Sequence, residues 1–395
     1  MRLIHSFPIT PLAYWLKMAT LTPLFLVAPS ALADLIDGRS KTIDGSVPAE
    51  EYRLINAASL TANGATTLEI NAQTGSKVTL NGTAVNATGA ANGVRLSASE
   101  ATIANKSRVV SANTGLSLIR TVTSASSATV SDSEIIGGNR GATVSAESQL
   151  TLQSGARVIG TNASSIGIEA FGSRISATDS TIMGGQNGVR LFSNDSITDD
   201  ALVLNNSHVE GVSGSAIVIQ SANQTNSEQV NIEVNNGSTL KGGNGILLEV
   251  LNGAAANFAV NNSHLVGDIV VADGSSAEVL LDRAATLTGR LENVENLTVN
   301  NDARWVMVGD GNVENLSLNG GGVQFGNPGQ YFNLSVETLS GTGGAVLYAQ
   351  RFHHRAGGYP DRIWQCHWQP PCRPRQPRHR TGRGRLQGRG AYRLG

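Results

Sequence analysis

The sequence predicts an all-β fold, a parallel β-helix in which successive coils of chain stack into a solenoid, and three observations carry that prediction. The first is a recurring phrase. A-L-V-L-N-N-S-H-V-E-G (Ala201 to Gly211) returns as A-N-F-A-V-N-N-S-H-L-V-G (Ala256 to Gly267), V-N-I-E-V-N-N-G-S-T-L-K-G (Val230 to Gly242) and R-I-S-A-T-D-S-T-I-M-G (Arg174 to Gly184). The second is the period. Val109, Ile135, Val158, Ile182, Val209, Leu240, Leu265 and Leu287 recur every 22 to 31 residues, shorter than the roughly 40 of a propeller blade and without the Leu/Asn pattern of a leucine-rich repeat. The third is alternation of apolar with other residues in short runs, three to a period, and nowhere a helical spacing of three and four. A unit of two or three strands cannot cover its own apolar face, so each must stack on a neighbour.

Taken in order, Met1 to Ala33 reads as a secretory signal. Arg2 and Lys17 supply positive charge, Met18 to Ala28 is a short apolar core, and Ala31-Leu32-Ala33 places cleavage between Ala33 and Asp34. Pro23 and the shortness of the apolar run argue against a membrane-spanning helix. Asp34 to about Glu51 is polar and is expected to be an irregular lead-in or cap. Coils are recognisable from about Leu54, and residues 34–294 form the predicted β-helix. A second row runs beside the first, through Gly93, Gly115, Gly141, Gly167, Gly188, Ala216 and Gly245. The pairs Asn205-Asn206, Asn235-Asn236, Asn261-Asn262 and Asn300-Asn301 each close a strand. Asn tolerates the left-handed backbone of a sharp corner, and stacked amides can bond along the axis. About ten or eleven turns, a rod on the order of 50 Å long, follow from counting strands to Leu316. Ser221 to Glu228 is an insert expected to project as a loop.

Residues 295–350 are more specific. Trp305, Met307, the N-V-E-N-L-S-L-N-G-G run from Asn312 to Gly321, Val323, Phe325 and the L-S-G-T-G at Leu339 to Gly343 resemble the end of pertactin-like autotransporter passengers. With the signal and the repeat, the resemblance covers about residues 1 to 350. It implies a signal peptide, a right-handed parallel β-helix, a stabilising C-terminal cap, and then a membrane β-barrel that brings the passenger to the cell surface. Trp305, Met307, Phe325 and Tyr331 are the residues expected to cap the stack, because they bring bulk to the end of a slim aliphatic interior whose strand edges are otherwise open.

After Gly344 the composition changes. Residues 351–395 hold eleven Arg and one Asp, while the whole chain carries a net charge of −1, so the preceding 350 residues are strongly acidic by difference. Arg and Pro replace Asn, Ser and Thr, and no repeat survives. The switch suggests a change of reading frame, and the expectation is a disordered basic tail standing where the barrel of the family would begin. Arg-rich sequence also suits nucleic acid, but the tail is the one stretch with that character, and no nucleic-acid partner is expected. Cys366 and Cys372, the two cysteines of the chain, lie there with His367 and His379 at a spacing that matches no standard zinc finger. The repeat itself contains no cysteine, so disulfides hold none of it together.

Chemistry is sparse. Aromatic residues make up 5% and charged residues 15% of the chain, while the small residues that dominate suit tight turns and a slim stacked interior. Glu169, Asp179, Arg190, Asp195, Asp199 and Asp200 are the candidates a polysaccharide lyase or hydrolase on this fold would draw on. Glu169 and Arg190 fall between inward residues of adjacent coils and are expected to form an outward surface pair, whereas Asp199 and Asp200 are expected in a turn. His208 and His264 hold equivalent places two coils apart, with Thr239 between, too far to share a metal. No nucleophile elbow, zinc-protease helix or calcium-binding repeat is present. No catalytic, cofactor or metal residue is therefore assigned. The function expected is that of an exported passenger acting as a binding or adhesin-type protein, displayed at the surface or released, toward molecules of a host or neighbouring cell. A monomer is the expected state, and a carbohydrate-active enzyme is the alternative.

Overall fold

The aliphatic rows read from the sequence meet rung by rung. In the computed structural model, which describes residues 33–193, 200–221, 229–327, 330, 332–342, 346–349, 365–368, 385–387 and 391–394, Val85, Val109, Ile135, Val158, Ile182, Val209 and Leu240 are partners in one parallel ladder, each of them buried. Each such side chain withdrawn from water contributes about 1.5–3 kcal/mol before chain entropy is counted.

Three parallel sheets build the stack. The first has 12 strands, from Asp34–Asp37 to Leu291–Glu292. The second has 15, from Ser40–Asp44 through Asn333–Thr342, the last being an antiparallel addition, Arg385–Gln387. The third comes in two blocks, Thr66–Thr67 to Thr239–Gly242 and His264–Val266 onward. The coil count exceeds the ten or eleven expected for a definite reason. Asp34–Asp37 and Ser40–Asp44 are not an irregular lead-in but a first coil, with Ile36 and Ile43 buried and Asp34 bonded to Lys41 at 2.5 Å. Its polar composition hid two strands that need one inward aliphatic residue each.

The corners explain the composition. Between the second and third sheets, Asn206, Asn236, Asn262 and Asn301 have φ between 44° and 55°, the left-handed conformation expected of them. Their columns are hydrogen-bonded along the axis: the Asn236 amide donates to Asn205 Oδ1 (3.2 Å), Asn261 to Asn235 (2.8 Å) and Asn319 to Asn300 (3.1 Å). A second amide column, unforeseen, links Asn92, Asn113, Asn139 and Asn162. Buried serines fill the inside of the corners. The backbone N–H of Ser107 donates to Ser133 Oγ at 3.1 Å, and those of Ser180 and Ser207 donate to the Oγ of Ser207 and Ser238, each at 3.1 Å, so a hydroxyl of the next coil satisfies an N–H the turn would leave orphaned.

From the third sheet to the first the chain turns too sharply for a side chain. A Cβ on Gly93, Gly115, Gly141, Gly167 or Gly188 would lie 2.4 to 2.7 Å from the nearest atom of the next row. Gly245 is not the next member of this column: Ile217 pairs with Leu248, two residues beyond the register expected, and the same strand meets the following coil with an irregularity between Ile246 and Leu248.

Outside the core, Thr42, Thr61, Thr79, Thr102, Thr129 and Thr151 stand in one outward row of the second sheet. Their alignment is invisible until register is known; β-branched residues suit such a half-exposed pleat.

Beyond Leu291–Glu292 the first sheet stops, and the second-sheet strands lengthen to nine and ten residues, Gly311–Asn319 and Asn333–Thr342. Most of the Arg/Pro-rich tail, with Cys372 and His379, lies outside the described residues. Of it only Gln365–Trp368, Arg385–Gln387 and Ala391–Leu394 are described, as short strands.

Candidate functional site

The outer faces of the first and third sheets carry the charged residues singled out above. On the first sheet, Thr143, Glu169, Arg190, Val218 and Glu249 form one outward row. Glu169 and Arg190 are neighbours, as expected, but the pair is not a surface pair. The Glu169 carboxylate is 6% exposed and lies between two guanidinium groups, bonded to Arg140 Nε and 3.6 Å from Arg190 Nη1. Arg140 went unnoticed because it enters from the preceding coil, at the start of the strand Arg140–Ser145. Two residues further along the same strands, Phe171 and Phe192 stack at 4.4 Å between ring centroids, 6° from parallel. Glu169→Gln, which leaves both arginines without their counter-charge, is expected to cost about 1–3 kcal/mol in chemical denaturation. The cost should shrink in an Arg140→Leu background if the pair is the cause.

On the third sheet Glu134 is gripped from both sides, by Arg108 Nε at 3.1 Å and Arg157 Nη1 at 3.3 Å. Higher up, Lys241 Nζ donates to Glu210 at 2.7 Å and His208 Nε2 lies 3.5 Å from the other oxygen; the Lys241 hydrogen bond holds the Glu210 carboxyl below the usual range. His208 and His264 repeat one arrangement: the Nδ1 of each meets the hydroxyl of a threonine in the next coil, Thr239 at 2.8 Å and Thr286 at 2.7 Å. Among the described residues no group of three or more His, Cys, Asp or Glu is placed to hold a metal ion.

Two shallow grooves are lined by these corners. One, of about 330 Å³, runs past Asp179, Thr181, Asn206, His208 and Thr239. Asp179 is committed there, accepting the Asn206 amide at 2.5 Å. The other, of about 380 Å³, lies where the first sheet ends, between Glu292, Asn293, Asp310, Asn312, Asn333 and Ser335. Both offer amides, hydroxyls and carboxylates in fixed positions, which suits hydrogen bonding to a polar ligand.

The remaining candidates separate. Asp195 and Asp199, like residues 222–228 of the insert, lie outside the described residues, and Asp200 opens the strand Asp200–Asn205 where a turn was expected. Ala33 precedes the first strand, which starts at Asp34; residues 1–32 are outside the described set. Of the four expected cap residues, Trp305 and Met307 are fully buried and Phe325 is nearly so. Tyr331 lies outside the described residues.

No family model matches the chain. The BrkA autotransporter of Bordetella pertussis is 30% identical over 129 residues, which is 31% of this chain and 13% of that protein. The matched stretch thus spans about an eighth of the relative's length. A parallel β-solenoid that carries this similarity fits a passenger domain of the pertactin-like autotransporter kind.

Proposed function

We propose that the chain is an exported passenger that works by binding, in the manner of an adhesin, from the cell surface or after release, and that it is not an enzyme. The observation that carries this is the similarity to an autotransporter on a solenoid in which three outer carboxylates singled out above are spent on structure: Glu169, Glu134 and Glu210 each neutralise basic groups of neighbouring coils. A general acid would need a carboxyl raised toward neutrality and open to substrate; Glu210 is shifted the other way, and Glu69, which burial and then Glu51 push up, lines neither groove. Rows of identical groups on a rigid scaffold instead favour adhesion through many weak contacts.

Two measurements test it. Expressed in a Gram-negative host, the exported product should begin at Asp34 by N-terminal sequencing. The purified product should adhere saturably to immobilised cell-surface extracts and release no new reducing ends or unsaturated products from a polysaccharide panel. Turnover of any polysaccharide would replace this reading with the carbohydrate-active one.

A further inference from the structure

We propose that a column of three glutamates at the end of the stack, Glu295, Glu314 and Glu337, is the seat of this chain's own arginine-rich segment, residues 380–389, which joins the second sheet as its final strand. The column comes from a phrase used three times: V-E-N-L at Val294 to Leu297, V-E-N-L at Val313 to Leu316 and V-E-T-L at Val336 to Leu339. Register stacks the three copies. Val294 pairs with Val313 and Val313 with Val336, while Asn296 pairs with Asn315 and Asn315 with Thr338. The glutamates lie between these pairs, one per rung and about 4.8 Å apart. Like charges set opposite each other on neighbouring strands oppose folding. Upstream the chain alternates its charges, Lys77 meeting Glu100 at 3.2 Å and Glu134 meeting Arg108 at 3.1 Å and Arg157 at 3.3 Å. At the end of the stack it does not. Glu314 and Glu337 are exposed and Glu295 is half-buried, and among the described residues none of the three has an ion-pair or hydrogen-bond partner. The neighbouring amide column is spent on itself, Asn315 donating to Asn296 at 3.0 Å.

Charge and position name the occupant. Residues 291–350 hold six carboxylates, Glu292, Glu295, Asp302, Asp310, Glu314 and Glu337, against the single base Arg304, whereas residues 351–395 hold eleven Arg and one Asp. The strand Arg385–Gln387 already lies on the outer edge of the column's last strand, Asn333–Thr342. It runs antiparallel, with Gln387 opposite Asn333, Leu386 opposite Leu334 and Arg385 opposite Ser335. Counted on by two residues in the same register, Arg383 falls opposite Glu337, at the open end of the glutamate column. Arg380 and Arg389 follow on either side in the sequence. A long strand with a bare edge invites pairing with other chains. A basic strand of the same chain closes that edge and neutralises the carboxylates in one step. This contact is independent of what the passenger binds, and it gives the arginines a use other than nucleic acid.

Thermal melting and trypsin cleavage of the full chain at low salt read this directly. Glu314→Gln should lower the melting temperature, because it removes a charge that the arginines neutralise. An unchanged or higher melting temperature, the sign of a column that merely repels itself, overturns the proposal. Cleavage at Arg383 and Arg385, followed by mass spectrometry, should be about tenfold or more faster in the double variant Glu314→Gln with Glu337→Gln than in the parent. Far-UV circular dichroism of the two should coincide. The difference in cleavage should vanish near 1 M salt, where the screening length is about 3 Å. Exchanging the charges, Glu337→Arg with Arg383→Glu, should restore slow cleavage at Arg385. Equal cleavage of parent and double variant at low salt overturns the proposal, and a short DNA duplex that then binds both equally well assigns the arginines to nucleic acid instead.

Discussion

Trp305→Ala is expected to cost about 3–5 kcal/mol, the range for emptying a fully buried large aromatic position. The indole is fully buried, its Nε1 donates to the Gly289 carbonyl at 2.9 Å, and it stands in the aliphatic row between Leu287 and Val323. Gly311 makes room for it: a Cβ there would lie 2.8 Å from the far edge of the ring. At this level the first sheet has already ended, so one large side chain fills space that strands fill in every coil upstream. Because a solenoid unfolds in sections, the loss should appear first as protease cleavage within residues 290–342, ahead of any change in the upstream coils. Trp305→Phe should recover much of the packing but not the hydrogen bond. An alanine variant as resistant as the parent would mean the indole does not hold the end of the stack together.

Gly167→Ala is expected to be strongly damaging for a single added methyl, about 3 kcal/mol or more, since over-packing is relieved here only by moving backbone. Its Cβ would meet the Gly188 carbonyl at 2.4 Å, with Ile182 and the Met183 carbonyl at 2.9 Å. The chain contains its own control. Ala216 follows Gly188 in the same column and already carries a Cβ without exposure, so Ala216→Gly should cost no more than about 1 kcal/mol. The comparison is made on the yield and melting of the exported protein. Equal effects at the two positions would place the strain elsewhere.

How much of this was legible depended on which side of the chain a residue faced. The inner row from Val109 to Leu287 could be aligned from the sequence because burial forces one aliphatic residue per rung, and even Trp305 falls on it. The Asn corners were legible because few residues accept their backbone geometry. What failed was whatever depends on register between coils. The first coil, with only Ile36 and Ile43 to mark it, looked like a leader. Glu169 looked like one of a surface pair because its stronger partner, Arg140, sits 29 positions earlier. Gly245 looked like a member of the glycine column, but Ile217 pairs with Leu248, two residues further on. The threonine row has no sequence signature at all, since it takes one residue from each of several coils.

The amide columns have a direction. In each pair the downstream residue gives its N–H to the oxygen of the one upstream: Asn81 to Asn63, Asn105 to Asn81, Asn139 to Asn113, Asn162 to Asn139, Asn315 to Asn296. Such threads are polar wires whose members polarise one another, with the N–H pole toward the start of the chain and the carbonyl pole toward its end. Aspartate, which only accepts when ionised, can occupy just the first place in a thread, and that is where Asp37, Asp179, Asp282 and Asp310 stand, each receiving an asparagine from the next coil. An asparagine could stand in any of these four places without breaking its thread, whereas an aspartate set further along would turn an acceptor toward an acceptor, so the permitted sites for this one exchange lie at four known heights.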